Sequence, residues 1–162
     1  MLIIRRAEQE DRRSIAEVHT GAVRAIRPGY YTPEEIEAWA VPHEPERYAE
    51  SIRSKEFYVA VEDDAIVGFG VLNQERSEIE ALYVGPKAAR RGTGLKILRR
   101  LEESARESGL ETLRLNASLN AVQFYESAGY AALEESTFRL ATGVSIACVP
   151  MMKSLTPGTD AV

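Results

Sequence analysis

The sequence is poor in the residues that bind metals and form disulfides. Among 162 residues there is one cysteine, Cys148, and there are two histidines, His19 and His43. A single cysteine cannot form an internal disulfide, and two isolated histidines do not have the spacing of a metal site. We therefore expect no metal cofactor. Cys148 lies in an apolar run, which predicts a buried, unreactive thiol.

The sequence also lacks long apolar runs and an excess of positive charge. Only three consecutive apolar residues follow Met1, so we expect no signal peptide, and no segment approaches the ~20 apolar residues of a transmembrane helix. The net charge of −5 argues against a nucleic-acid partner. It fits a cationic substrate weakly, and solubility alone explains it as well. We predict a cytoplasmic protein that binds neither membrane nor nucleic acid.

Apolar periodicity predicts one domain over residues 1–155, with a disordered tail at 156–162. Strands are expected at 2–8, 57–62, 65–72, 77–84 and 110–117, with two more over 131–140 and 144–152. Helices are expected before residue 55, after Gly94 and from Asn120, which can serve as an N-cap. This order predicts an α+β fold, a mixed central sheet of about seven strands flanked by helices on both faces.

The stretch ARRGTGLKILRRLE, residues 89–102, places two glycines between two arginines and an amphipathic helix. Backbone N–H groups and the positive end of a helix dipole favour an anion at such a point, and a diphosphate suits it. A plain structural turn explains the same glycines. Ile97 stands where a dinucleotide-binding fingerprint needs a third glycine, and no Gly-Lys-Ser/Thr of a P-loop follows. From the residues alone, this stretch is either a phosphate-binding site or a simple structural turn.

Two motifs together resemble the GCN5-related N-acetyltransferase (GNAT) superfamily. IEALYVGPKAARRGTGLKILRRLEESA resembles its central motif, a strand, a Pro and then Gln/Arg-x-x-Gly-x-Gly/Ala before a leucine-bearing helix. LRLNASLNAVQFYESAGY resembles its next motif, which closes on an aromatic pair and Gly-Phe/Tyr. The two motifs follow in the family's order and spacing, and the resemblance spans roughly residues 2–155. Ala89 departs from the family's Gln/Arg.

The resemblance implies a GNAT-like fold and acetyl-CoA as the cofactor. Backbone amides at the glycine turn would bind the coenzyme A diphosphate. A bulge near the end of the preceding strand, where the matching positions are Leu82 to Val84, would free an amide for the thioester carbonyl. Asn120 would contact the pantetheine or only cap its helix. The implied cofactor-binding residues are Leu82, Tyr83, Val84, Arg90, Arg91, Gly92, Thr93, Gly94, Leu95, Asn120 and Tyr125.

Acetyl transfer from a thioester to an amine needs a group that takes a proton from the amine and a group that protonates the leaving thiolate. Glu78 and Glu80 are candidates for the first, since residues two apart in a strand share a face, here opposite Ile79, Ala81 and Tyr83. Exposed, solvated carboxylates are the alternative. Tyr125 is the candidate acid, and the alternative is a core aromatic residue.

The resemblance implies an acceptor pocket shaped by the first two helices and the loops between strands. Aromatic and polar residues of that region make its candidate list, with core packing as the alternative: His19, Arg24, Tyr30, Tyr31 and Trp39. The predicted activity is acetyl-CoA-dependent N-acetylation of a primary amine, on a small molecule or a peptide, by direct attack in a ternary complex. The alternative is a non-catalytic acyl-CoA-binding regulatory module. Exposed closing strands favour a homodimer.

Overall fold

The computed structural model describes residues 1–41 and 43–156; the end of the predicted tail, residues 157–162, lies outside them. The strands are β1 (Leu2–Arg6), β2 (Glu56–Glu62), β3 (Ala65–Asn73), β4 (Glu78–Val84), β5 (Thr112–Ser118), β6 (Ala131–Ala132), β7 (Ser136–Arg139) and β8 (Ser145–Ser154). The helices are α1 (Arg12–Arg24), α2 (Pro33–Ala40), α3 (Ala49–Ser54), α4 (Thr93–Glu107) and α5 (Val122–Ser127). Within the described residues no helix is long and apolar enough to cross a membrane.

The strands form one mixed sheet in the order β1-β2-β3-β4-β5-β8-β6, with β7 also paired to β8. Only β4 and β5 are parallel, because α4 lies between them in the chain and supplies the crossover. The predicted α+β class with a mixed sheet is confirmed. The sheet has one strand more than predicted, because the stretch after α5 leaves the ladder between Ala132 and Ser136 and so makes two short strands.

Helices cover both faces of the sheet, as predicted. Helices α4 and α5 pack on one face around Ile97, Leu98 and Leu101, and α1 and α3 pack on the other around Ile15 and Phe69. Gly70 in β3 sets how closely α4 approaches, since a Cβ there would lie 2.6 Å from Ile97 Cγ2. Helices therefore bury core residues on both faces of the sheet.

The sheet opens between β4 and β5. The two strands pair only where they begin, at Glu78 with Arg114 and at Ile79 with Leu115. Beyond those pairs the strands diverge, and the backbone of β4 after Glu80 faces a gap instead of a neighbouring strand. This gap, which lies between the two motifs of the sequence, positions the candidate site.

A β-bulge changes the predicted faces of β4. Val71 of β3 pairs with Ala81, and Leu72 pairs with Ile79, so Glu80 is the extra residue. As a result Ile79 packs in the core under α4, whereas Ala81 and Tyr83 pack in the core under α1. The prediction that Ile79 shares a face with Ala81 and Tyr83 is wrong, because strict alternation fails at a bulge. The bulge that the resemblance implies at Leu82–Val84 lies instead at Glu80.

Candidate active site

The glycine turn forms an open cradle at the start of α4. Gly92 occupies the N-cap position at φ +83°, and Arg90 before it also has a positive φ of +65°. A Cβ on Gly92 would meet nothing within 4 Å, so the space in front of the helix is empty. The first amides of a helix, here those of Thr93, Gly94 and Leu95, have no intrahelical acceptor. This turn therefore presents unpaired donors to open space, the arrangement that binds a phosphate group.

A cavity of about 400 Å³, the cradle cavity, adjoins this turn. It is lined by Leu82, Val84, Ala89, Arg90, Gly92, Gly94, Leu95, Ala121, Phe124 and Tyr125. Arg91 points partly away, since its Nη1 lies 3.3 Å from Glu62 Oε1. Arg90 is exposed and forms no salt bridge with the described carboxylates. At Gly94 a Cβ would lie 3.5 Å from the Phe124 ring, an ordinary contact, so only a longer side chain would fill the cradle.

The gap between β4 and β5 continues the cradle cavity into the protein. This slot, of about 80 Å³, is lined by Trp39, Ile79, Glu80, Ala81, Leu82, Tyr83, Leu115, Asn116, Ser118, Ala121 and Tyr125. The amide of Gly85 donates to Val67 O in β3 at 2.8 Å. Because amide directions alternate along a strand, the N–H groups of Leu82 and Val84 point away from β3 and toward the gap. An extended chain with its own amides can pair with them there.

Tyr125 lies where the cradle cavity meets the slot and lines both. Its ring is 7% exposed and makes edge-to-face contacts with Phe124 and Tyr130, at 5.0 and 5.8 Å between ring centroids. The Tyr125 hydroxyl has no hydrogen-bond partner among the residues described. Burial raises the pKa of Tyr125, so the phenol stays protonated at neutral pH and can donate.

Glu80 lies at the bulge, at the other end of the slot. Lys55 Nζ contacts Glu80 Oε1 at 2.5 Å, and Asn73 Nδ2 donates to Oε2 at 3.0 Å. Burial acts to raise the pKa of Glu80, but the hydrogen bonds from Lys55 and Asn73 outweigh it and lower the pKa below its usual value. Glu80 is therefore ionised at neutral pH. Glu78 lies 3.7 Å from Arg76 Nε, and its side chain is 19% exposed.

Two further cavities meet the slot at Trp39, Glu80 and Tyr83. The outer cavity, of about 470 Å³, lies between β4 and the β7–β8 hairpin and includes Glu78, Phe138 and Cys148. The inner cavity, of about 240 Å³, lies between α1, α2 and the sheet and ends at His19 and His43. A molecule in either cavity can reach the slot, and Glu80 is the one described carboxylate that lines all three spaces.

The structure brings together some of the predicted acceptor residues and separates others. Trp39 lines all three spaces, and His19 lines the inner cavity. Tyr31 lines the outer cavity, but its hydroxyl is committed to Leu119 N and Ala147 O, which makes it structural. Tyr30 is 46% exposed and lines none of the cavities described above.

Two further residues lie outside the positions that the sequence suggests for them. Arg24 lies on the outer side of α1, 3.7 Å from Glu37 of α2, and lines a separate open groove. Asn120 does not cap a helix: α5 begins at Val122 with Ala121 in the N-cap position, and a short 3-10 turn over Leu119–Ala121 precedes it. The helix starts later than the sequence suggests because this turn absorbs the first residues.

Several residues at the site escaped the sequence analysis. Lys55, Asn73, His43 and Phe138 all contact Glu80 or line its cavities. The pairs Glu56–Leu72 and Asn73–Glu78 put the starts of β2 and β4 beside the end of β3, which is why Lys55 reaches Glu80. Only register places these residues side by side, so no local pattern could have revealed them. Cys148 is buried as predicted, and burial raises the pKa of its thiol.

Known proteins share this fold. Residues 29–155 match the acetyltransferase (GNAT) domain family. The chain is 28% identical over 132 residues to YafP, an uncharacterized N-acetyltransferase of Escherichia coli (strain K12), covering 82% of this chain and 83% of that protein. A GCN5-related N-acetyltransferase from Rhodopseudomonas palustris superposes with a TM-score of 0.87 at 27% identity, over 94% of each chain.

A more distant structure is the PaiA N-acetyltransferase from Thermoplasma acidophilum in complex with coenzyme A. It has a TM-score of 0.76 at 21% identity and covers 95% of this chain and 99% of its own, a likeness of fold. The family match covers most of the chain, so the chain belongs to the GNAT acetyltransferase family. It is an acetyl-CoA-dependent N-acetyltransferase.

Proposed function

We propose that the chain acetylates a primary amine that binds where the inner cavity, the outer cavity and the slot meet. The observation that carries this proposal is the placement of Glu80 and Tyr125 in one slot, a carboxylate on one side and an unpaired phenol on the other. The slot leads from the open turn before α4 to the two larger cavities. A cofactor and an amine can therefore occupy opposite sides of the reacting centre at the same time, as direct transfer requires.

The residues present fit coenzyme A. The amides of Thr93, Gly94 and Leu95, with the charge of Arg90, would hold its diphosphate at the helix start. The outward N–H groups of Leu82 and Val84 would pair with the amides of its pantetheine arm, and Tyr83 between them faces the acceptor side. Binding of the diphosphate at the turn depends mainly on backbone amides, because Ala89 offers no polar side chain. Arg91 and Asn120 would contact coenzyme A at the edge of the cradle cavity.

Acetyl-CoA supplies the acetyl thioester: a bond forms between the amine nitrogen and the acetyl carbon, the carbon–sulfur bond breaks, the amine loses a proton and the sulfur gains one. The residues of this chain orient the amine and move these protons. Glu80 faces the slot as a carboxylate and accepts the proton from the amine, directly or through a water. Glu78, in the outer cavity, serves as the second acceptor along the same path.

The Lys55–Glu80 contact tunes this step. A cation beside Glu80 offsets its charge, so the site attracts a protonated amine only weakly. The neutral amine, which is the nucleophile, is accommodated more easily. On the other side of the slot the Tyr125 hydroxyl stays protonated, because burial raises its pKa, and it donates to the departing sulfur.

A small-molecule amine is the acceptor we favour, since the inner cavity ends among buried side chains.

A homodimer through the closing strands also remains a prediction; Leu133 and Met152 there are exposed at 52% and 41%. A cytoplasmic location remains a prediction from the sequence.

The test is acetyl-CoA turnover, followed as thiol release, with a panel of small primary amines and lysine peptides. Direct transfer predicts intersecting initial-rate patterns when both substrates are varied. It also predicts that protein incubated with acetyl-CoA alone gains no acetyl group by mass spectrometry. Parallel kinetic lines and a covalently acetylated protein would overturn the ternary mechanism. Tight coenzyme A binding without acetylation of any amine would favour the regulatory module.

A further inference from the structure

Strand β7 leaves one edge of the sheet open. It pairs with β8 on one side, and within residues 1–41 and 43–156 no strand pairs with its other side. Every residue from 131 to 139 is exposed, including the large apolar side chains of Leu133 and Phe138. An open edge of this kind offers free N–H and C=O groups to a further strand.

The backbone groups of Thr137 and Arg139 point to that open edge. Leu140 faces β8, because its amide donates across the turn to the residue before β8 at 2.8 Å. Orientation alternates along a strand, so Thr137 and Arg139 face away from β8. Ala147, which pairs with Thr137, agrees with this: its carbonyl accepts from the Tyr31 hydroxyl at 2.8 Å, on the side away from β7.

The charges along this edge are self-complementary. Arg139 ends β7 and Glu135 precedes it, and neither forms a salt bridge in the part of the chain that the structure describes. In an antiparallel pair of two β7 strands with Thr137 on the two-fold axis, Arg139 lies opposite the partner's Glu135. Symmetry makes two such ion pairs. A register shifted by two residues places Arg139 opposite the partner's Thr137 and pairs neither charge.

The other edge of the sheet, at β1, does not offer the same charges. Arg5 Nη1 lies 2.8 Å from Asp11 Oδ2, and Arg6 pairs with Glu56. The arginines of β1 are therefore already neutralised within the chain. The charges of the β7 edge have no such partners, so complementarity selects this edge for pairing.

We propose that a second copy of this chain pairs with β7 in the register centred on Thr137 and completes the acceptor side. Phe138 lines both the inner and the outer cavity, yet it is 49% exposed. A two-fold axis perpendicular to the sheet puts the partner's Phe138 on the same face, as a diagonal neighbour about 7–8 Å away. The partner's Phe138 thus extends the aromatic wall of both cavities. The kinetic part of this inference rests on the proposed N-acetylation.

A charge swap tests the pairing and its register. Arg139→Glu and Glu135→Arg each replace two ion pairs by two like-charge pairs and should raise the dimer Kd by about tenfold or more, measured by analytical ultracentrifugation. The double variant restores opposite charges and should recover the dimer. Arg13→Glu, the same change at an exposed arginine of α1, is the matched control and should leave the Kd unchanged.

Thr137→Pro tests the backbone pairing separately. It removes an N–H that points to the open edge and is not bonded to β8, so the protomer should fold and bind coenzyme A. The same N–H lies at the centre of the proposed interface. We therefore expect a folded monomer.

The contribution of the partner's Phe138 is tested by amine kinetics. In Arg139→Glu and Thr137→Pro the KM of the amine should rise about two- to tenfold, the effect of one aromatic contact, with coenzyme A affinity unchanged. The charge-swapped double variant should return KM to the wild-type value. A merely structural role of Arg139 would not be rescued in this way.

A wild-type protein that stays monomeric up to its solubility limit would overturn the inference. So would a dimer that both single charge variants leave intact, or a double variant that does not recover the dimer. Loss of the dimer with an unchanged KM would overturn the role of the partner's Phe138. Failure to acetylate any amine would overturn the proposed function, whereas ultracentrifugation would still decide the pairing.

Discussion

The cofactor side and the acceptor side of this protein are built in different ways. On the cofactor side, the turn at residues 90–95 and the end of β4 present mainly backbone amides. On the acceptor side, the cavities are lined by side chains from α1, α2, β2, β4 and the β7–β8 hairpin. Backbone donors suit a ligand common to a whole family, since they survive most substitutions. Side chains from distant segments can vary independently, which lets one fold accept different amines.

The largest effect is expected on the cofactor side, where a substitution in the glycine turn should prevent coenzyme A binding. Gly94→Glu fills the cradle with a carboxylate where we place the diphosphate, and should abolish coenzyme A binding by calorimetry. Gly94→Ala is the matched control: its Cβ makes only an ordinary 3.5 Å contact with Phe124, so binding should persist. Unchanged affinity in Gly94→Glu would remove the turn as the phosphate site.

Tyr125→Phe tests the residue that lies between the cofactor side and the acceptor side. Loss of the hydroxyl should lower kcat by roughly 10²-fold, a typical contribution of a general acid, with coenzyme A affinity nearly unchanged. The matched control is Tyr130→Phe, which removes a hydroxyl bonded to buried Glu102 at 2.9 Å. That change should lower stability and leave kcat largely intact. Equal kcat in Tyr125→Phe and wild type would exclude the proposed acid.

Glu80→Gln tests the proton acceptor and its pH dependence. We expect kcat/KM to fall by about tenfold, less than general bases usually contribute, because the lowered pKa makes Glu80 a weak base. Glu80 loses its charge only as the pH falls through a value below its usual one, so between pH 6 and 9 both proteins should gain activity with rising pH as the amine deprotonates.

If kcat/KM of the wild type showed an inflection between pH 6 and 8, and Glu80→Gln abolished it, the lowered pKa of Glu80 would be contradicted. Such an inflection would require a raised pKa and a broken Lys55–Glu80 contact. Lys55→Met provides an independent check, because removing the counter-ion should raise the pKa of Glu80 and move its titration toward neutral pH.

The smallest effect is expected at Arg24, which the sequence assigns to the acceptor pocket and the structure does not. Arg24→Ala removes an exposed 3.7 Å pair with Glu37 and should cost about 0.2–1 kcal/mol of unfolding free energy. KM for the amine should stay unchanged in steady-state assays. A clear rise in KM would mean that the acceptor side extends to the outer groove along α1.

Sequence reasoning succeeded where structure depends on neighbours in the chain. The helix after Gly94 carries an apolar stripe, and the family match rests on motifs of contiguous residues, so the class of fold and the cofactor could be predicted. It failed on the faces of β4, because the bulge at Glu80 depends on how β3 and β4 register and leaves no trace in the alternation of Glu78–Val84. It failed at Asn120 because a 3-10 turn displaced the helix start.

By itself, the sequence determined the helix and strand order, the glycine turn and the enzyme family, all of which follow from local periodicity and short motifs. Tertiary structure alone decided where β4 and β5 separate, that Lys55 and Asn73 hold Glu80, and that His19 stacks on His43. The physical reason is that each of these contacts joins residues far apart in the chain. Their proximity depends on strand register and helix packing.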